Sequence, residues 1–374
     1  MSARVPAEVF PPGEFLKDEL EARGWTQVEF AEIIGKDTRL VSEVISGKRA
    51  VTPETAMVLA AALGTSPDLW MNLESQYQLS KVRNGQEEIA RKADLHSRFP
   101  VREMTKRGWI ESTKNVDVLQ QQLLSFFGIG AISDEPTTCF AAKKQKYADT
   151  PIAQIAWFFR AKSLAETAPA AKFSQARVAS LNARLKEILP EAESARSVPG
   201  ILAEFGIRFV VVEALPGSKI DGACFWLDKS SPVIALSMRF DRVDNFWHTL
   251  HHELDHIAHK EGMTSPILDT DMLEADGGDK PDFEQRANEN AADRLVPRGE
   301  LEEFIARGNP MFSEDQIVGF AQRMGVHPGV VIGQLQNRRL IPWTFHRRHL
   351  EKIREFVIAS ALTDGFGLRP ATLD

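Results

Sequence analysis

Residues 248–259, HTLHHELDHIAH, restrict the fold more than any other stretch of this chain. Within them, His252-Glu253-Leu254-Asp255-His256 fits the pattern H-E-x-x-H. The pattern has a use only on a helix, where positions i and i+4 share a face and two imidazoles can hold one metal ion. Glu253, beside the first ligand, can then polarise a water. The other histidines test the register. His248 and His252 are also four apart, but Thr249 follows the first, and His251 meets Asp255 four residues on. One register therefore supplies two ligands and a base, and leaves His248, His251 and His259 as supporting or surface groups. Phe246, Leu250, Leu254 and Ile257 form an apolar stripe on a helix expected over residues 241–260, which separates a core face from a metal face.

A structural zinc site takes four protein ligands, whereas a hydrolytic one keeps a position for water, so a third ligand is expected downstream. Residues 282–297, DFEQRANENAADRLVP, read as a helix rich in carboxylates. Glu284 and Asn288 lie four apart, so Glu284 can reach the metal while Asn288 supports a ligand histidine. Glu289 and Asp293 compete on neighbouring faces. Upstream, residues 207–215, 222–227 and 232–238 are short β-branched runs bounded by Gly, Pro, Asp and Ser, which predicts a small sheet leading into the metal helix.

The N-terminal part has a different texture. Residues 12–24 read as an amphipathic helix with Phe15, Leu16 and Leu20 inward and Gly24 as its stop. Thr26 is a good N-cap for a helix over 27–34, with Glu29 three residues on as its capping-box partner. A helix over 38–46 follows, then Gly47-Lys48-Arg49, and Pro53 opens another that Gly64 ends. Two short helices joined by a tight turn form a helix-turn-helix, whose second helix enters the major groove. Thr38, Arg39, Ser42 and Glu43 would then face base edges, Gln27, Lys48 and Arg49 would contact phosphate, and Val41, Val44 and Ile45 would pack inward. Residues 1–83 carry 9 Lys+Arg against 12 Asp+Glu, so affinity would depend on local placement and dimerisation.

Residues 11–79 resemble the Xre-type helix-turn-helix of HigA-like antitoxins. The resemblance rests on Pro12-Gly13-Glu14, Thr26-Gln27, Ser46-Gly47-Lys48-Arg49, Thr52-Pro53-Glu54-Thr55-Ala56, Leu69-Trp70 and Asn72-Leu73. It implies double-stranded operator DNA as a partner, a homodimer, and autoregulation of a promoter. A second resemblance runs through Asp244–His259, Glu284-Gln285-Arg286-Ala287-Asn288 and Leu295-Val296-Pro297, which are similar to ImmA/IrrE-family metallopeptidases. In that family an E-x-x-A-[N/D] helix follows H-E-x-x-H and its Glu is the third ligand, which implies Glu284 here. Two positions depart from the pattern: Asn290 stands where the family often has an aromatic residue, and Asp255 where it has a small one. The resemblance implies zinc held by His252, His256 and Glu284, with Glu253 as general base in peptide hydrolysis. A donor for the oxyanion is still needed: Tyr77 and Tyr147 lie far away in sequence, and His327 and His346 are the substitutes.

Between these parts, residues 116–127, 152–164 and 173–189 have helical apolar spacing, and Trp109, Phe126, Phe127, Trp157, Phe158 and Phe159 read as core. Lys143, Lys144 and Lys146 read as a solvated basic cluster. Residues 314–323 and 330–335 are again helix-turn-helix-like and read as a packing unit, and a helix over 349–362 ends the chain. No apolar run approaches ~20 residues, and no basic-then-apolar leader opens the chain, so no membrane span or signal peptide is expected. Cys139 and Cys224 have no metal-ligand spacing and suggest a reducing, cytoplasmic setting. The net charge of −7 argues against a surface given over wholly to nucleic acid.

The expected class is α+β and predominantly helical: a helix-turn-helix bundle (residues 1–80), a helical middle region (81–200), a zincin-like metallopeptidase domain with a small β-sheet (201–310) and a closing helical extension (311–374). The expected function is a DNA-binding regulator whose zinc peptidase cuts a regulatory protein or itself in a stress, phage-defence or toxin–antitoxin setting. The alternative is a non-enzymatic HigA-like repressor whose C-terminal part binds a toxin or senses a ligand.

Overall fold

A computed structural model describes residues 10–134, 136, 151–270, 281–308 and 311–367, with residues 82–85 and 87 described by backbone alone. Cys139, Tyr147 and the lysines at 143, 144 and 146 lie outside the described residues. The chain forms two compact units, Met1–Asp94 and Leu95–Asp374.

In the first unit, α1 (Pro12–Arg23), α2 (Gln27–Ile33), α3 (Thr38–Ile45), α4 (Pro53–Leu63) and the start of α5 (Pro67–Arg98) enclose one core. Leu16, Leu20, Phe30, Val41, Val44, Leu59 and Trp70 fill it. Thr26 caps α2 as its sequence predicts: its hydroxyl accepts from the Glu29 N–H at 3.2 Å, and its own N–H donates to the Glu29 carboxylate at 2.7 Å. Asp37, not anticipated, caps α3 by accepting from the Arg39 N–H at 2.7 Å. Phe15, expected inward, is 42% exposed. The inward line of α1 is Gly13, Leu16 and Leu20, and Phe15 lies about 100° from Leu16 around the helix. Gly13 explains that line, because a Cβ on it would stand 2.2 Å from the Val44 carbonyl oxygen.

The second unit is built on a sheet of order β4-β2-β3-β1-β5 among the described residues. Its strands are β1 (Arg208–Val212), β2 (Ile220–Trp226), β3 (Pro232–Leu236), β4 (Ile267–Thr270) and β5 (Leu362–Asp364). Strand β1 runs parallel to β3 and β5, while β2 is antiparallel to β3 and β4. The first three match the sequence expectation. The other two are short and lack apolar alternation. Residues 349–362, expected as a helix, hold only α16 (Arg354–Ile358) before the chain turns into β5.

Both faces of the sheet are covered, which is why its strands read as near-continuous apolar runs. Phe209, Val211, Cys224, Ile234 and Leu236 face a core that includes α9 (Val178–Ile188), α10 (Val198–Glu204), α11 (Val243–Ala258), α14 (Glu314–Met324) and α15 (Pro328–Asn337). Val210, Val212, Ala223, Phe225, Val233 and Ala235 face the opposite core, built from α6 (Val101–Lys106), α7 (Val116–Phe127) and α8 (Ile152–Thr167). The expected middle region over 81–200 therefore has no core of its own. Its residues from Leu95 to Ala168 cover one side of the sheet and those from Leu181 to Val198 the other, and buried Trp157 donates its indole N–H to the Val212 carbonyl at 2.8 Å.

Among the described residues, no helix is long and apolar enough to cross a membrane. Placing Ala at Gly13 forces apart backbones that have no side chain to give way. The variant should lose about 1–3 kcal/mol in urea titrations followed by tryptophan fluorescence, the range for overpacking.

Candidate functional site

Helix α11 is buried on nearly every side: from Val243 to Ile257 only His248 is partly open. The sequence stripe of Phe246, Leu250, Leu254 and Ile257 is buried, but so is the face carrying His252, Glu253 and His256. Strands β2 and β3 lie on one side of the helix, α12 (Asp282–Leu295) and α15 on others. Such a helix must satisfy its polar groups within the protein.

His252 and His256 present their Nε2 atoms to each other at 3.0 Å. Glu284, from α12, brings Oε2 to 3.3 Å from His252 Nε2 and 3.8 Å from His256 Nε2. Asp269, from β4, brings Oδ2 to 3.1 and 4.0 Å from the same two nitrogens. One ligand atom from each of the four residues lies within 4.8 Å of the others. The competing carboxylates do not join them. Glu289 accepts from Gln285, and Asp293 accepts from the Arg298 N–H, both on the exposed side of α12.

Two imidazoles and two carboxylates converging in a buried place suit a divalent cation of the zinc type. The electrostatics agree. Burial disfavours a charged His252 ring, yet Asp269 and Glu284 outweigh it and raise its pKa to about 10. The cluster therefore favours positive charge where its four ligand atoms converge. His256 also has the support that a ligand histidine uses, since its Nδ1 is 2.7 Å from Glu261 Oε2, which in turn accepts from Arg286 at 2.8 Å.

Glu253 occupies a notch in the sheet. A Cβ at Gly222 of β2 would lie 2.2 Å from Glu253 Oε1, so only glycine leaves room for the carboxyl there. Among the described residues neither Glu253 oxygen has a hydrogen-bond donor, the carboxyl lies beside Asp269, and the side chain is wholly buried. Burial, and then the neighbouring Asp269 charge, push its carboxyl well above the usual carboxylate range.

Asn288 is not where the sequence reading put it. Its Oδ1 lies 3.3 Å from His248 Nε2, and its amide donates to the Glu284 carbonyl, so it supports His248 and its own helix and not a ligand histidine. The group in that supporting role is Glu261, which spacing alone does not reveal. It lies past the end of α11, and a turn with Lys260 at φ 56° and Gly262 at φ 76° brings it back. Asp255 points to α12, where Arg294 donates to it at 2.6 Å, Asn290 at 3.0 Å and Arg286 at 3.2 Å. The two departures from the metallopeptidase pattern, Asp255 and Asn290, thus bond to each other. His327 and His346 are engaged elsewhere: His327 caps α15 and faces Glu351, and His346 faces the Phe312 carbonyl.

In the first unit, Gln27, Arg39, Ser42, Lys48 and Arg49 are exposed, and Thr38 is half-buried. Glu43 accepts from Arg39 at 2.8 Å and pairs with Arg49 at 3.1 Å, so it clasps two of the other expected DNA contacts.

Comparison with known proteins bears on this unit. A helix-turn-helix family profile matches residues 16–70. Antitoxin HigA-1 of Vibrio cholerae is 40% identical over 80 residues, 21% of this chain and 75% of that protein. The HTH-type transcriptional regulator YddM of Escherichia coli K12 is 31% identical over 71 residues, 19% of this chain and 76% of that protein. The chain belongs to the HigA-like helix-turn-helix family. A solved addiction module antidote protein of the HigA family from Coxiella burnetii shares 30% identity over 21% of this chain and 92% of its own, with a TM-score of 0.20. The HigA-like part is about a fifth of the chain, and the buried cluster lies beyond it.

His251 yields a pH prediction. It is buried against Trp247, and neither ring nitrogen has a partner among the described residues. Burial, and then Arg294, lower its pKa from 6.5 to about 3. The unfolded chain binds this proton below about pH 6.5 and the folded chain does not. The stability tied to neutral His251 is therefore intact above pH 6.5 and is lost as pH falls toward 3, by about 1.4 kcal/mol per pH unit at most. Denaturation of His251→Leu at pH 7, 6, 5 and 4 should show the variant gaining on the native chain as pH drops. A constant difference would refute the assignment.

Proposed function

We propose that this HigA-like regulator binds operator DNA through α3 and carries, in its second unit, a zinc-dependent peptidase that acts on a protein partner or on the chain itself. The observation that carries the peptidase reading is the buried Glu253 carboxyl. Among the described residues it has no donor, it is seated in the Gly222 notch, and it lies one residue from His252, which converges with His256 and Glu284. A structural site has no use for such a group.

His252, His256 and Glu284 would hold the ion, with Glu261 orienting His256. A bound zinc ion supplies Lewis-acid chemistry that activates water and polarises a carbonyl. Glu253 does the proton work of hydrolysis. It accepts a proton from the attacking water at its carboxylate and delivers it to the amine that leaves when the C–N bond breaks. Asp255 carries no proton in this scheme, because Arg286 and Arg294 neutralise it and it anchors α11 to α12.

A second reading is favoured by the likeness to antitoxin HigA-1: the second unit binds a toxin or a ligand and cuts nothing. Glu253→Gln separates the two. It should retain about one zinc per chain, measured by atomic emission, and abolish cleavage of the partner in cells. A variant that regulates and processes proteins like the native chain would remove the peptidase reading.

For the DNA unit, Arg39→Ala should weaken binding to the promoter of the protein's own gene by about 1–3 kcal/mol, the value of a good base contact. Releasing the clasp with Glu43→Gln frees Arg39 and Arg49 and should tighten binding to non-specific DNA, with a steeper salt dependence. Gel-shift titrations at two salt concentrations check both. Unchanged affinity in Arg39→Ala would unseat α3 as the reading helix.

A further inference from the structure

The cluster contains a carboxylate that the proposed chemistry does not use. Asp269 comes from β4, the four-residue strand at the sheet margin, whose one strand neighbour among the described residues is β2. In the antiparallel register Asp269 stands opposite Gly222, and Ile267 opposite Cys224. Alternation then sets Asp269 on the same side of the sheet as Gly222 and Cys224, which is the side covered by α11. Its Oδ2 is 3.1 Å from His252 Nε2, closer than the Glu284 oxygen at 3.3 Å, and the residue is 6% exposed.

Two consequences follow. Four protein ligands are the number that closes a zinc site, whereas hydrolysis needs one position open. The backbone of β4 also occupies the margin of β2, which is the strand that runs under Glu253. Without β4, β2 would offer a row of free N–H and C=O groups beside His252 and Glu253. An extended peptide can add to such an edge as a further strand. Its backbone would then run where β4 now runs and bring a carbonyl to the place of the Asp269 carboxylate.

We propose that β4 is an internal substrate mimic: Asp269 closes the metal site as a fourth ligand, the strand fills the peptide-binding edge of β2, and the substrates are peptides that pair with β2 in extended form once β4 is displaced. The proposal rests on the metallopeptidase reading above. Displacement is feasible because β4 is short and, among the described residues, has one strand neighbour, the kind of element that opens locally at low free energy. Its holds are the buried Ile267, Leu268 against the core on the other face of the sheet, and the ladder to β2.

The test uses the full chain loaded with cobalt(II), whose visible spectrum reports ligand number, and acetohydroxamate as a small probe for an open position. The native protein should bind cobalt and leave its spectrum unchanged when acetohydroxamate is added. Asp269→Ala should still bind cobalt, with affinity reduced about tenfold or more, and its spectrum should shift and saturate with the probe. Asp269→Asn keeps the shape of the side chain and should respond in between. It decides the matter if circular dichroism shows that the alanine variant is unfolded. Equal responses to the probe in native and variant proteins would overturn the closed site while leaving the peptidase reading intact. If the variant opens to the probe but cleaves no extended peptide or partner, the fourth-ligand role of Asp269 stands and the peptidase reading fails. If no form binds cobalt, both fall.

Discussion

Helix α11 carries His252, Glu253, Asp255 and His256 out of reach of water, and buried charges are tolerated only when they are paired or coordinated. Much of the second unit answers that constraint. Helix α12 lies along α11 and supplies Glu284 on one side of the cluster and Arg286, Asn290 and Arg294 on the other. The turn after α11 returns Glu261 to His256. Strand β4 adds Asp269 from across the sheet. Glu253 lies beside Asp269 and fits because Gly222 has no side chain. Among the described residues no group donates to its oxygens, and a buried carboxyl without a donor is destabilising by about 1–3 kcal/mol or more.

The Asp255 network shows how a departure from a pattern can be internally consistent. An added negative charge beside a metal site would compete with the ligands for the cation. Here the charge points away from the cluster, and Arg286 and Arg294 lower its proton affinity against the penalty of burial. Asn290, the other departure, donates to the same carboxylate. Arg286 also holds Glu261, so the pairing of Asp255 and the orientation of His256 share one guanidinium. The α11–α12 seam and the site are therefore mechanically linked.

In the first unit the same logic acts at the surface, where it is weaker. Glu43 neutralises Arg39 and Arg49 in the free protein, and the pairs are exposed enough for water to screen them. Phosphates offer arginines a denser field of negative charge than one carboxylate does, so in the proposed DNA complex the clasp would tune affinity without blocking it. The arrangement also fits a unit with more acidic than basic residues.

The helix-turn-helix, its Thr26 cap and the register of H-E-x-x-H are legible in the sequence, because they depend on contacts three or four residues apart. Thr26 with Glu29 and His252 with His256 are of this kind. The three central strands are legible for a similar reason, since two-sided burial leaves continuous apolar runs. Glu284 was found by resemblance, as spacing alone left Glu289 and Asp293 in competition. Glu261, Asp269 and the Gly222 notch could not be read in this way, because each acts across a gap that chain folding closes. Nor could the place of the middle helices be read: their apolar stripes say that they pack, and only the sheet, more than forty residues further on, shows against what. The sequence by itself determined which side chains share a helix face. The tertiary structure decided which of those faces meet, and with them how many ligands surround the proposed metal and whether its last position is open.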